Sequence, residues 1–234
     1  YWLHALNKDY YETMQRVDGF GFIAKMKAEG KIKHIGFSFH DESSLLERIL
    51  QDHPETEYVQ LQINYLDWED PTIEARKCYD ICQRHGKPVI VMEPVKGGSL
   101  AKVPAEVEKM FRQVRPELSA ASWAVRYAAS LDNVMMVLSG MSNMEQTQDN
   151  TSYMENFEPI NEEESRMIEK AADIIKSSIA IPCTACHYCT EGCPQAIAIP
   201  EYFAIYNTLH QFGKKEQWMN TSVYYGVLNK THGK

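Results

Sequence analysis

The sequence predicts an α/β fold built on a parallel sheet, followed by a small second domain. Strand-like and helix-like segments alternate four times before residue 178, and the later strand candidates, Pro88–Met92 and Val134–Leu138, are apolar without a break. A strand that is apolar on both faces is covered on both, as happens when helices connect parallel strands. Beyond residue 178 the helical periodicity gives way to a run dense in cysteine, so the expected domains are 1–178 and 179–234.

The elements follow in order. The opening run Tyr1-Trp2-Leu3-His4-Ala5-Leu6 is apolar, with no basic leader and no cleavage site of a secretory signal. It begins without Met, as if cut from a longer protein. Val17–Glu29 carries apolar residues at helical spacing and stops at Gly30. Lys31–Phe39 reads as a strand, and Asp41 as the N-cap of a helix over Ser43–Gln51. Tyr58–Tyr65 alternates like a strand; Asp70-Pro71 opens a helix that runs to Gly86. After the strand Pro88–Met92, Ser119 starts a helix through Ala129, and Val134–Leu138 follows as a buried strand. Ser142 to Asn150 opens a further helix, and Asn161 begins the last long one, to about Ser178. Glu162–Glu164 there read as first-turn charges complementing the helix dipole. Right-handed crossovers leave two architectures for such a sheet, an open doubly wound one and a closed barrel, and periodicity does not choose between them.

Composition narrows the partners. At 44% hydrophobic and 24% charged residues the chain has the make-up of a globular protein. A net charge of −8 argues against nucleic acid or an anionic membrane surface as the main partner. No uncharged apolar stretch reaches the roughly 18 residues that a membrane helix needs. Four of the six cysteines lie in one run, and Cys78 and Cys82 are four apart on one helix face, a usage that fits a reducing cytoplasm.

The cysteine run is the strongest chemical signal. Pro182-Cys183-Thr184-Ala185-Cys186-His187-Tyr188-Cys189-Thr190-Glu191-Gly192-Cys193-Pro194 spaces its thiols C-x2-C-x2-C-x3-C and ends on proline. Two-residue gaps aim three thiolates at one cubane, which is the pattern of a 4Fe–4S cluster. A four-cysteine zinc site is the competing reading, but zinc sites usually part their pairs by a longer loop. In proteins with two such clusters the fourth cysteine serves the other one, so Cys193 calls for a second set of cysteines beyond Lys234. Tyr202, Phe203, Tyr206, Trp218, Tyr224 and Tyr225 are the expected small core of this second domain.

Sites in parallel sheets form at the carboxyl ends of the strands. The polar residues there are His4, Ser38 and His40, Gln62 and Asn64, Glu93 with Lys96-Gly97-Gly98, and Ser139–Ser142. Each has an ordinary structural explanation as well: histidines after strands are often satisfied by backbone, and paired glycines by a turn. No G-x-G-x-x-G fingerprint is present.

Taken together, Tyr1–Leu6, Gly30–His40, Gln62–Tyr65, Met92–Gly98, Leu138–Ser142 with Asn150, and the cysteine run resemble the aldo/keto reductase family, in its branch with a C-terminal ferredoxin-like domain. The resemblance implies a (β/α)8 TIM barrel, of which this chain would hold the end of strand 4 through strand 8, followed by a small α-helical iron–sulfur domain. It implies NADP(H)-linked, or NAD(H)-linked, reduction of a small carbonyl substrate or oxidation of an alcohol, with a tyrosine as general acid assisted by lysine, aspartate and histidine. Of these only the histidine maps here, onto His4 just past the fourth strand. Ser38 and Gln62 match the residues that hold the nicotinamide amide; Gly97 lies in a matching cofactor loop; Ser142, Gln146 and Asn150 match the phosphate and adenine end. Departures from the pattern are Phe39 in place of asparagine, Met92 in place of a stacking aromatic ring, and Ser139 in place of proline.

Two functional classes remain. One is an oxidoreductase whose barrel handles hydride while Cys183, Cys186, Cys189 and Cys193 hold a cluster that exchanges electrons with a redox partner protein. The other is an electron-transfer or structural iron–sulfur protein with a non-catalytic barrel.

Overall fold

The computed structural model describes residues 1–71, 73–177, 180–181, 183 and 188–212. Its elements run β1 (Trp2–Leu6), α1 (Lys8–Arg16), α2 (Gly19–Ala28), β2 (Gly36–Phe39), α3 (Ser43–Asp52), β3 (Tyr58–Gln62), α4 (Ala75–Arg84) and β4 (Val89–Met92). After a 3-10 turn at Ser99–Ala101 come α5 (Ala105–Val114), α6 (Ala120–Ala129), β5 (Val134–Val137), α7 (Met144–Glu155), α8 (Glu162–Ser177), α9 (Tyr188–Glu191) and α10 (Ile199–Phe212). By its contacts the chain divides into two compact units, Tyr1–Pro94 with Val125–Ser142, and Val95–Ala124 with Asn143–Lys234.

The first unit holds a five-stranded sheet in the order β1-β2-β3-β4-β5, every neighbouring pair parallel. That order is consistent with part of a barrel and not with a doubly wound sheet. A doubly wound sheet reverses its strand order to place helices on both faces, whereas a barrel winds one way only. One face of the sheet packs Phe37, Phe39, Val59, Leu61, Ile63, Val89 and Val91 with Leu46, Ile49 and Leu50 of α3 and Cys78, Ile81 and Cys82 of α4, all buried. The spacing of Leu46, Ile49 and Leu50 is what lays α3 on that face, each such side chain gaining about 1.5–3 kcal/mol by burial. Alternation sends the intervening residues His4, Gly36, Ser38, Gln60, Gln62 and Met92 to the opposite face. Gly36 is required there: a Cβ would lie 2.5 Å from the Tyr58 ring, whose hydroxyl donates to the carbonyl of Tyr1 at 3.0 Å.

Several boundaries differ from the sequence expectation. Lys31–Ile35 is a connection, and the strand begins at Gly36, because Lys31, Lys33 and His34 are exposed. The residue at the start of α3 is Glu42, not Asp41. Asp41 instead accepts the N–H of Glu42 at 2.8 Å and that of Lys8, in the first turn of α1, at 2.7 Å. β3 ends at Gln62, since Asn64 turns the chain by accepting the N–H groups of Leu66 and Asp67. α4 starts at Ala75, four residues after the expected first helical residue Pro71, following a turn in which Asp70 accepts the N–H of Ile73. α1, capped by Asn7 on the N–H of Tyr10, and α5 are helices that the sequence reading did not assign. Ser119 does cap α6, accepting the N–H of Ser122 at 3.1 Å.

In the second unit Phe111 of α5 stacks on Trp123 of α6, ring centres 4.2 Å apart. α8 opens with a reciprocal cap, in which Asn161 accepts the N–H of Glu164 and Glu164 that of Asn161, both at 3.0 Å. Glu164 is fully buried and meets the Arg115 guanidinium at 2.9 Å, so it is an anchor and not simply a first-turn charge. Tyr206 of α10 is exposed, contrary to its expected place in a core, while Trp218, Tyr224 and Tyr225 lie outside the described residues. Among the described residues no helix is long and apolar enough to cross a membrane.

Candidate active site and cysteine run

His4 lies within β1, not beyond it. Leu3 pairs with Phe37 and Leu6 with Phe39, so β1 spends one more residue than β2 between those pairs. This is a β-bulge at His4 and Ala5, and Ala5 adopts φ 54, a left-handed conformation unusual for a side chain with a Cβ. Bulges re-aim a side chain, and here the one re-aimed is an exposed imidazole. Ser38, directly across in β2, is 1% exposed and its Oγ accepts the N–H of Ala5 at 2.7 Å. The hydroxyl keeps its own proton to donate. Just past β2, loss of hydration and then the field of His4 hold His40 below the usual histidine pKa.

At the end of β3 a network of amides and one carboxylate fills the turn. Gln62 Nε2 and Asn64 Nδ2 both donate to Asp67 Oδ2, at 2.9 and 2.8 Å, and Asn64 Nδ2 also reaches the carbonyl of Glu93 at 3.2 Å. Asn64 and Asp67 are 0% and 2% exposed; Gln62 is half-buried. Glu93 (φ 55), directly after β4, is again left-handed, so two strained residues of the first unit, Ala5 and Glu93, lie near the carboxyl ends of its strands. On the same face Gln60 Nε2 donates to the Met92 sulfur at 3.2 Å.

Ser142, exposed after β5, completes the first unit's share of the expected residues. It is not the cap of α7: Asn143 is, accepting the N–H of Gln146 at 2.8 Å. Gly97, Gln146 and Asn150 belong to the second unit. Gly97 (φ 60) and Gly98 (φ 92) form the turn before the 3-10 segment, a conformation that glycine takes without strain. Gln146 and Asn150 stand four apart on one face of α7, and the Tyr153 hydroxyl donates to Asn150 Oδ1.

Also in the second unit, Cys183 and Cys189 are exposed, Cys193 is half-buried and none is in a disulfide; Cys186 lies outside the described residues. The described residues alone gather no set of three metal-ligating side chains. The chain entering the run is fixed: Asn207 of α10 accepts the N–H of Ile181 and donates to its carbonyl, both at 2.8 Å.

The family model for the aldo/keto reductase family matches residues 1–173. The chain belongs to that family. Among solved structures it is similar to a thermostable aldo-keto reductase crystallised with the inhibitor epalrestat, at 19% identity and TM-score 0.55 over 73% of this chain and 58% of that one. It is similar also to an aldo-keto reductase from Klebsiella pneumoniae in complex with NADPH, at 18% identity and TM-score 0.51 over 73% of this chain and 57% of that one. This chain thus spans under three fifths of the length of the structures it matches. No curated protein matches it.

Membership in the aldo/keto reductase family accounts for the parallel sheet. The residue that sequence reading missed is Asp67. Its signal was the Asn64-x-x-Asp67 spacing directly after a strand, which is a turn built from side-chain hydrogen bonds.

Proposed function

We propose that the protein is an NAD(P)H-linked oxidoreductase acting on small carbonyl or alcohol substrates, with an iron–sulfur domain from residue 179 that passes single electrons to a redox partner. The observation that carries the first part is the carboxyl edge of the sheet, where a histidine on a clamped bulge of β1 and a half-buried glutamine amide of β3 lie on either side of β2 in an aldo/keto reductase domain.

His4 is the catalytic residue of this chain. Its ring, exposed by the bulge, donates a hydrogen bond to the substrate oxygen and orients the carbonyl. Gln62 holds the carboxamide of the nicotinamide, Ser38 offers its hydroxyl proton on the same side, and Met92 gives the ring an apolar, polarisable wall. Gly97, Ser142, Gln146 and Asn150 are assigned to the cofactor by the family resemblance alone. When bound, the nicotinamide supplies or accepts the hydride. The donor set of Cys183, Cys186, Cys189 and Cys193 fits a 4Fe–4S cluster, which supplies one-electron transfer. Asn207 steadies the approach to Cys183.

Oxidation of NADPH over a panel of aldehydes and ketones tests the reading in a longer protein that also supplies the tyrosine, lysine and aspartate, because this chain, onto which only the histidine maps, is expected to be inactive alone. His4→Ala is expected to lower turnover by roughly tenfold to a thousandfold, the range for a positioned acid–base or orienting group. Unchanged kinetics across the panel would remove His4 from the mechanism, and no oxidation by the unaltered protein would favour the non-catalytic alternative.

A further inference from the structure

Asp67 is a buried carboxylate for which the reaction as described has no use. It sits in the turn after β3, 2% exposed, and both amides that reach its Oδ2 come from residues within five positions, Gln62 at 2.9 Å and Asn64 at 2.8 Å. A side-chain amide can rotate to present either its oxygen or its NH2, and the two ends differ little in size. A carboxylate removes that choice. It accepts only, so the end of Gln62 turned toward Asp67 is the NH2, and the end turned away is the carbonyl oxygen. Asn64, fully buried, holds Asp67 in turn, its oxygen accepting the Asp67 N–H at 2.9 Å while its NH2 reaches the Glu93 carbonyl.

We infer that Asp67 is a positioning residue that fixes the Gln62 amide with its oxygen toward the site, so that Gln62 selects a ligand carrying an N–H donor, the NH2 of a carboxamide. The inference rests on the nicotinamide reading of Gln62 and adds to it the polarity of that contact and the residue that sets it. Without Asp67 the amide turns freely, and a carbonyl ligand can be met by the NH2 instead.

The test compares NADPH with its 3-acetylpyridine analogue, in which a methyl ketone replaces the carboxamide and leaves no N–H. Dissociation constants of both are measured on the protein and on Asp67→Ala, Asp67→Asn and Gln62→Ala variants. The preference, a ratio within one sample, is insensitive to a partly unfolded fraction. The unaltered protein should prefer NADPH by about fivefold to tenfold, the size of one hydrogen bond. Asp67→Ala should cut that preference below about twofold, and Asp67→Asn should retain it, because its oxygen accepts the same two amides. In the Gln62→Ala background, Asp67→Ala should change the preference no further. A preference that needs Gln62 but survives Asp67→Ala overturns the inference and leaves the cofactor reading standing. Absence of NADPH binding by the unaltered protein overturns the cofactor reading itself. Should Asp67→Ala fail to fold, the side-chain NH2 of Gln62, identified in the nuclear magnetic resonance spectrum by its loss in Gln62→Ala, decides the matter. Slowed exchange with water supports its bond to Asp67, and exchange as fast as a solvated amide overturns it.

Discussion

Ser38 Oγ accepts the backbone N–H of Ala5 at 2.7 Å, so a residue expected to face a cofactor also clamps the bulge that aims His4. The two roles are compatible, because a hydroxyl accepts on a lone pair and still has a proton to donate. They have different consequences when the side chain is removed.

Ser38→Ala should destabilise the protein by about 1–2 kcal/mol, the cost of leaving a part-buried N–H without an acceptor, at a left-handed residue already under strain. Urea unfolding monitored by circular dichroism measures it. A loss below about 0.5 kcal/mol would show that the bulge does not depend on the hydroxyl.

Arg115 joins three acidic residues, fully buried Glu164 at 2.9 Å, exposed Glu158 at 2.7 Å and Glu117 at 3.8 Å. Removing the cation leaves a carboxylate in the interior, so Arg115→Met should cost about 2–4 kcal/mol, below the usual figure for a buried pair because the arginine is partly solvated. Glu158→Ala, on a side chain 68% exposed, should cost about 0–1 kcal/mol. Equal losses in the two variants would contradict this division.

Those two networks mark the limit of what the sequence could reveal. The parallel sheet was legible because β4 and β5 are continuously apolar, although β5 is not the buried strand expected, since Met135 and Met136 are exposed; the caps at Ser119 and Asn161 were legible because small polar residues precede helical runs. The bulge was not, since nothing in Trp-Leu-His-Ala-Leu distinguishes a regular strand from one with an extra residue; the pairing with Phe37 and Phe39 creates it. The roles of Asp41 and Glu164 were likewise set by partners far along the chain, Lys8 and Arg115, which no local pattern contains. α5 escaped notice because Val107 and Phe111 provide its buried residues, too few for a clear period.

Acid stability should depend on Glu57. Burial alone would raise its carboxyl, but hydrogen bonds from Lys27, His34 and the Ile35 N–H outweigh that and hold its pKa at about 2 against an ordinary 4.5. A depressed folded-state pKa gives stability that is fully present above the unfolded value and is lost as the proton binds the folded form. The contribution therefore disappears between pH 4.5 and about 2. Glu57→Gln should flatten the acid side of the stability profile in that window and leave its slope above pH 5 unchanged. An identical acid slope in the variant would exclude Glu57 as a source.

The six cysteines should separate into two classes toward an alkylating reagent. Cys78 and Cys82 are 3% and 0% exposed, and burial pushes the Cys78 thiol up to about 12 and that of Cys82 up as well. At pH 8 a pKa of about 12 leaves roughly one thiolate in ten thousand, and the thiolate is the species that reacts. Iodoacetamide on the native, reduced, metal-free protein should thus spare this pair and modify Cys183 and Cys189, which are exposed. Their thiols are then a direct readout of the proposed cluster. Anaerobic reconstitution with iron and sulfide should protect Cys183, Cys186 and Cys189 together, because a cubane engages all three at once. Cys193 reports on a different point. Its protection along with the other three, at about four irons per chain, would mean that it closes a single cluster itself; a Cys193 that stays reactive would fit the expectation that it serves a second one. Protection by zinc without sulfide, and none by iron and sulfide, would replace the cluster with a zinc site. Mass spectrometry of the alkylated peptides distinguishes these outcomes in one experiment, with Cys78 and Cys82 as internal controls that the fold stayed closed.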